Sequence, residues 1–266
     1  MKLVTFKNYL NQTQTMTQFK QRIEQGLNGE YTGLANGLHR INKYIYNIQR
    51  SCYTLIGGLS GSSKTTLCDF ILLNGLQDAK AKGIPFNVTY YSWEIDEISK
   101  KANWLSIMIY KKYNRVISPQ TIKGLGESRL TDEELEIVYS ELPELEELFS
   151  QIDWHWVPEN PTGLYHLWWK TMSAKGEFTK VPYVDEEGIT REKIVSWKPN
   201  NKEEYNIVVL DHMALGRLES RGGNMFNLKQ NIDKMSEYIV ACRNMFNMTF
   251  FVVQQFNQGF NKIITN

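Results

Sequence analysis

A short apolar run, Tyr53-Thr54-Leu55-Ile56, leads into Gly58-Leu59-Ser60-Gly61-Ser62-Ser63-Lys64-Thr65-Thr66 and then into a helix-forming stretch over residues 66–76. No other feature limits the fold of this chain as much. Strand, glycine-rich turn, Lys-Thr and helix, in that order, make a phosphate-binding loop. Small residues let the backbone curl so that its N–H groups face a polyphosphate, and the helix N-terminus adds a dipole that favours negative charge. In such a loop Lys64 reaches the β- and γ-phosphates and the Thr65 hydroxyl binds Mg²⁺, while Gly58, Ser60, Gly61, Ser62, Ser63 and Thr66 complete the cradle. The usual pattern, G-x-x-x-x-G-K-[ST], has a glycine where this chain has Ser63. A side chain makes a positive φ costly there, and Gly61 compensates in part. A nucleoside triphosphate is the expected ligand.

The rest of the chain alternates strand and helix patterns. Residues 15–27 have helical spacing (Phe19, Ile23, Leu27) and stop at Asn28-Gly29. An apolar rhythm of Leu34, Leu38, Ile41, Tyr44, Ile45 and Ile48 leads to residues 53–56, which read as a short buried strand. Residues 86–93 form an aromatic and β-branched strand. Residues 96–113 form a helix with Ile98, Ala102, Leu105, Met108 and Ile109 on one face. Residues 131–149 form an acidic helix with a capping-box start and a solvated charged face. A strand over 152–157, a helix over 161–172, a strand over 205–210, a helix over 226–246 and a strand over 249–253 follow. The polar stretch 175–202, punctuated by Gly176, Pro182, Gly188 and Pro199, reads as a surface β-hairpin insertion. The fold class is α/β, a mostly parallel sheet with helices on both faces.

The chain has 266 residues and a net charge of +1, so any nucleic-acid contact must come from a local patch rather than a global basic footprint. Cys52, Cys68 and Cys242 are scattered, which argues against a disulfide framework or a zinc site. His39, His155, His166 and His212 have no metal-ligand spacing. With no signal-peptide core and no apolar run of membrane-spanning length, the chain reads as soluble and cytoplasmic, with no membrane partner. Trp154-His155-Trp156 and Trp168-Trp169 suit packing better than base stacking.

Polar residues close four strand patterns at the end where a parallel sheet holds its ligand. After the phosphate loop come Ser92-Trp93-Glu94, then Asp211, then Gln254-Gln255. Asp211 after an apolar strand suits the Mg²⁺ shell, Glu94 suits activation of a water, and the Gln255 amide suits sensing of the γ-phosphate. These stretches resemble the RecA-fold ATPase domain of DnaB-type replicative helicases. The resemblance is carried by Tyr31-Thr32-Gly33-Leu34, Gly37 to Asn42, Tyr53 to Gly58 with Lys64-Thr65-Thr66, Tyr91 to Ile95, Ile207 to His212, and Gln254 to Gln258.

The resemblance covers residues 30–258, diverging between 115 and 205. It implies an ATP-dependent DNA helicase motor that uses ATP and Mg²⁺, with Glu94, Lys64 and Gln255 catalytic and Thr65 and Asp211 on the metal. It implies single-stranded DNA as partner, a homo-hexamer, and a primase or loader as further partners. It also implies a first pore loop after Asp211, Gly216 to Asn224, where Arg217, Arg221 and Gly222 would track the DNA backbone flexibly, with Lys229 a weaker candidate. Residues 1–29 would be an N-terminal helix and linker, and 30–266 the ATPase domain with an insertion at about 175–204. Relative to the family pattern, Gln258 replaces an arginine, and the arginine finger and second DNA loop would lie beyond Asn266, as in a fragment or truncated relative. A RecA-like ATP-binding assembly or signalling module without unwinding activity is the alternative.

Overall fold

In the computed structural model, which describes residues 16–17, 19–29 and 32–256, a helix over 19–27 (α1) precedes the body. The body then runs β1 (Tyr53–Gly58), α2 (Lys64–Lys82), β2 (Phe86–Ser92), α3 (Glu97–Tyr113), α4 (Pro119–Ile122), α5 (Asp132–Ser150) and β3 (Ile152–His155). It continues through α6 (Pro161–Ser173), β4 (Gly176–Val184), β5 (Thr190–Pro199), β6 (Tyr205–Asp211) and the 3₁₀ turn Met213–Leu215. Last come β7 (Ser220–Arg221), β8 (Asn224–Met225), α7 (Leu228–Phe246) and β9 (Thr249–Gln255). Tyr31, Asn257 and Gln258 lie outside the described residues.

Five strands pair in parallel in the order β1-β9-β6-β2-β3. Parallel pairing requires crossovers, and the helices that make them cover both faces. On one face Val88, Tyr90, Ile207, Val209, Phe251 and Val253 pack against α2, α3 and α5. On the other, Tyr91, Val208, Leu210, Phe250 and Val252 pack against α6 and α7. Because successive side chains point to opposite faces, the middle of β6 and β9 must be apolar on both, and Ile207 to Leu210 and Phe250 to Val253 are. Each fully buried Leu, Val or Phe removes enough apolar area to contribute about 1.5–3 kcal/mol.

Helix starts follow local chemistry. Asp96, Thr131, Asn160 and Asn227 each accept a backbone N–H of the first turn, and Thr131 and Asn227 complete capping boxes with Glu134 and Gln230. Strands β4 and β5 form the expected antiparallel hairpin. Its base is held by Trp197 against Phe246 (ring centroids 5.3 Å apart) and Phe178 against Trp169 (5.6 Å). Trp154 stacks on Tyr90, Phe149 and Trp156, so these tryptophans pack, as their spacing suggests.

Several expectations are corrected. β1 is the sheet edge rather than a buried strand, and Leu55 is 54 % exposed. Ile98 stands 71 % exposed, off the buried face that Ala102, Leu105, Met108 and Ile109 form. In the acidic helix α5, Glu141 is buried, accepting from Lys112 Nζ (2.6 Å) and the Tyr113 hydroxyl (2.7 Å), so its charged face is not wholly solvated. Of the apolar lead-in, Leu34 and Ile48 are buried and bridge each other, while Ile41, Tyr44 and Ile45 are exposed.

Candidate functional site

The carboxyl ends of β1, β9, β6 and β2 meet at one edge, because the parallel registers align Gly58 with Gln255 and align Asp211 with both Val253 and Ser92. The loop after β1 turns tightly into α2. Ser62 N and Ser62 Oγ both donate to the Leu59 carbonyl (3.3 and 2.7 Å), and Lys64 Nζ donates to the same oxygen at 2.7 Å. A Cβ at Gly58 would stand 2.5 Å from Ser62 Oγ, so a side chain there would displace that hydroxyl from its bond to the Leu59 carbonyl. Gly61 takes φ 73° with open space around it. Ser63, at the N-cap of α2, takes φ 57°, the left-handed region that a side chain disfavours. Ser60 and Thr66 lie on the loop and the first turn of α2.

Thr65, on the first turn of α2, donates its hydroxyl to Asp211 Oδ1 at 2.9 Å, across 146 residues of sequence. This bond joins the start of α2 to the end of β6. Glu94 lies two residues beyond β2, with its carboxylate 3.9 Å from His212 Nε2. Trp93 N donates to the Asp211 carbonyl at 2.8 Å, which ties the Glu94 turn to the same strand end. Gln255 ends β9 beside Gly58, half-buried, and its carbonyl accepts from Gln254 Nε2 at 3.0 Å. The fold therefore brings Lys64, Thr65, Glu94, Asp211 and Gln255 to one edge of the sheet.

Behind Asp211 lies a cluster that sequence reasoning missed. Lys100 of α3 is fully buried, with its ammonium 3.2 Å from Asp69 Oδ2 and 3.3 Å from Asp211 Oδ2. It donates to the Tyr90 hydroxyl (2.8 Å), which donates to Asp69 Oδ1 (2.8 Å) and lies 3.4 Å from Asp211 Oδ2. Burial raises the Asp69 carboxyl above its ordinary value, with Lys100 pulling it down and Asp211 pushing it further up. Burial likewise pushes the Tyr90 hydroxyl and the Cys68 thiol well up. Lys100 shares the buried face of α3 with Trp104, one turn on, and Asp69 sits on α2 between buried Cys68 and Leu72. That helical spacing was the available signal.

The segment after Asp211 departs from expectation. Instead of an open glycine loop, β7 and β8 form a tight antiparallel hairpin turned by Gly222 and Gly223 at φ 60° and 82°. Two successive positive φ values suit a two-residue hairpin. The hairpin base is anchored by Glu219 N to Asn231 Oδ1 (2.9 Å) and Asn231 Nδ2 to the Arg217 carbonyl (3.2 Å). Arg217 precedes the hairpin, Arg221 lies in β7, and Lys229 is paired with Asp233 at 2.8 Å. Among the described side chains, the cluster around Asp211 is made by Thr65, Tyr90, Lys100 and Asp69.

No protein-family model matches the sequence, and no curated protein matches it. Solved structures do. One is a DnaB-like replicative helicase described with its interactions with primase: TM-score 0.59, 13% identity, 87% of this chain and 46% of that one. Another is a solved ATPase domain: TM-score 0.61, 13% identity, 94% of this chain and 72% of that one. The fold these structures share with the chain is a parallel α/β sheet flanked by helices on both faces. The chain spans about half the length of the first of these structures. Among its described residues no helix is long and apolar enough to cross a membrane, and no group of His, Cys, Asp and Glu side chains is placed to hold a metal ion by itself.

Proposed function

We propose that this RecA-like domain binds and hydrolyses ATP with Mg²⁺ as the motor of a DnaB-type DNA helicase, working on single-stranded DNA in a homo-hexamer. The observation that carries the reading is the Thr65–Asp211 bond, which places a phosphate-loop hydroxyl and a strand-end carboxylate together beside the turn that bears Glu94. The residues fit a small hard cation, because Thr65 and Asp211 offer oxygen donors and leave coordination for phosphate and water. When bound, Mg²⁺ would neutralise charge on the β- and γ-phosphates. Lys64 would leave the Leu59 carbonyl for the phosphates, and the loop N–H groups at the start of α2 would hold them. Glu94 would orient and deprotonate the attacking water, and Gln255 would read the γ-phosphate from the neighbouring strand. Primase or a loader is a further partner in this reading, and Arg217 with the β7–β8 hairpin is its DNA contact.

The test is ATP hydrolysis by the chain and by Lys64→Ala, with and without single-stranded DNA. Turnover stimulated by DNA and lost in the variant is the expected result. Failure of the wild-type chain to bind any nucleotide would overturn the reading.

A further inference from the structure

We infer that Lys100, with Asp69 and Tyr90, is a positioning group that pins the Asp211 carboxylate for the divalent cation of the nucleotide site. The inference rests on the function proposed above. Its physical basis is the division of labour between the two Asp211 oxygens. Oδ1 accepts from the Thr65 hydroxyl at 2.9 Å, on the side of the phosphate loop. Oδ2 faces the Lys100 ammonium at 3.3 Å and the Tyr90 hydroxyl at 3.4 Å, on the side of the core. With Oδ2 held from behind, the carboxylate cannot rotate, and Oδ1 stays beside Thr65.

Packing needs alone do not explain this arrangement. Lys100, Asp69 and Asp211 are all wholly buried, and taking three charges out of water is costly unless each is paired. Apolar side chains of similar volume would fill the same space at less cost, as Cys68, Leu72, Trp104 and Val209 do around it. Two carboxylates and one ammonium also leave one net negative charge, the sign a site for a divalent cation needs. The anchors come from informative places. Asp69 lies one turn beyond Thr65 on α2, and Lys100 lies on α3, the helix that follows Glu94. One cluster therefore ties together the helix that starts at the phosphates, the strand that ends in Asp211 and the helix that leaves the Glu94 turn.

The test titrates Mg²⁺ into the chain with a fluorescent ADP analogue, starting from EDTA, and reads the Mg²⁺ concentration at half-saturation. The first variant is Lys100→Met/Asp69→Asn, which removes one charge of each sign and so loses the pinning at constant net charge. The second is Tyr90→Phe, which keeps the ring and removes only the bridging hydroxyl. Removing a partner that orients a metal ligand typically weakens metal affinity by about 10–100-fold. The double variant should raise the half-saturating Mg²⁺ at least about tenfold, and Tyr90→Phe should raise it by a smaller factor. Thermal unfolding checks that each variant is folded, and if the double variant is not, Tyr90→Phe decides alone. A folded variant with a lowered melting temperature and an unchanged Mg²⁺ midpoint marks the cluster as merely structural and overturns the inference, while the nucleotide reading stands. A wild-type chain that binds no nucleotide at any Mg²⁺ concentration overturns both.

Discussion

Ser63 holds a left-handed backbone at φ 57° where glycine would sit without strain. That conformation costs a residue with a Cβ about 1–2 kcal/mol, and replacement by glycine gives back part of the gain through extra freedom of the unfolded chain. Ser63→Gly should therefore stabilise the protein by about 0.5–1 kcal/mol in urea unfolding. A loss of stability would mean that the serine side chain makes a contact worth more than its strain. The positive φ was legible in the sequence because the phosphate-loop pattern asks for glycine there. Asp69 and Lys100 were not read as partners of Asp211, since a single polar residue in a helix looks solvated until the opposing helix is known. The clue was periodicity: Lys100 is four residues before Trp104 on a stripe that continues through Ile107 and Met108, all buried.

At the scale of elements, the hairpin of β4 and β5 divides into a packed base and an exposed arm. Trp197 is buried edge-on to Phe246, while Val181, Tyr183, Val184 and Ile189 further out are exposed. Trp197→Ala should cost about 3–5 kcal/mol, as for other buried large-to-small changes. Joining Lys180 to Ile194, which face each other across the ladder, through a short glycine turn removes only the arm. That deletion should change stability by less than about 1 kcal/mol. Chemical denaturation of both variants checks this, and equal losses would mean that the arm also packs. The hairpin and most helices could be read from turn residues, caps and apolar spacing, which are local. Strand order could not. The apolar runs of β6 and β9 are interchangeable as patterns, and only the helices packed on each face place β9 between β1 and β6. The same limit hid the edge position of β1 and the exposure of Leu55.

Across the whole molecule, a carboxylate helps to hold the lead-in segment against the body, beside the buried Leu34 and Ile48. Asp78 of α2 accepts the Ala35 backbone N–H at 2.9 Å and the Lys82 ammonium at 2.7 Å. Partial burial alone would raise its pKa, but the bonds from Lys82 and Ala35 outweigh burial and hold it below its ordinary value. An acid with a lower pKa in the folded state adds stability above its unfolded value, about 3.9, and that stability is lost as pH falls through the folded value. Asp78→Ala should be about 1–2 kcal/mol less stable than wild type at neutral pH, with the gap narrowing below about pH 4. Urea titrations between about pH 3 and 7 span that window, and a gap constant across it would assign the effect to packing instead.

The placement of β9 also constrains how the molecule is made. β1 finds its partner in residues 249–255, and the bond from Phe256 N to the Gly58 carbonyl is made by the last described residue. During synthesis from the N-terminus, β1 stays without this partner until residues 249–255 have left the ribosome. Such distant pairing slows folding and leaves apolar strands exposed meanwhile. A nascent chain stalled before residue 249 would present β1 and β6 without the strand that lies between them. At that stage the unpaired edges of β1 and β6 are open to aggregation.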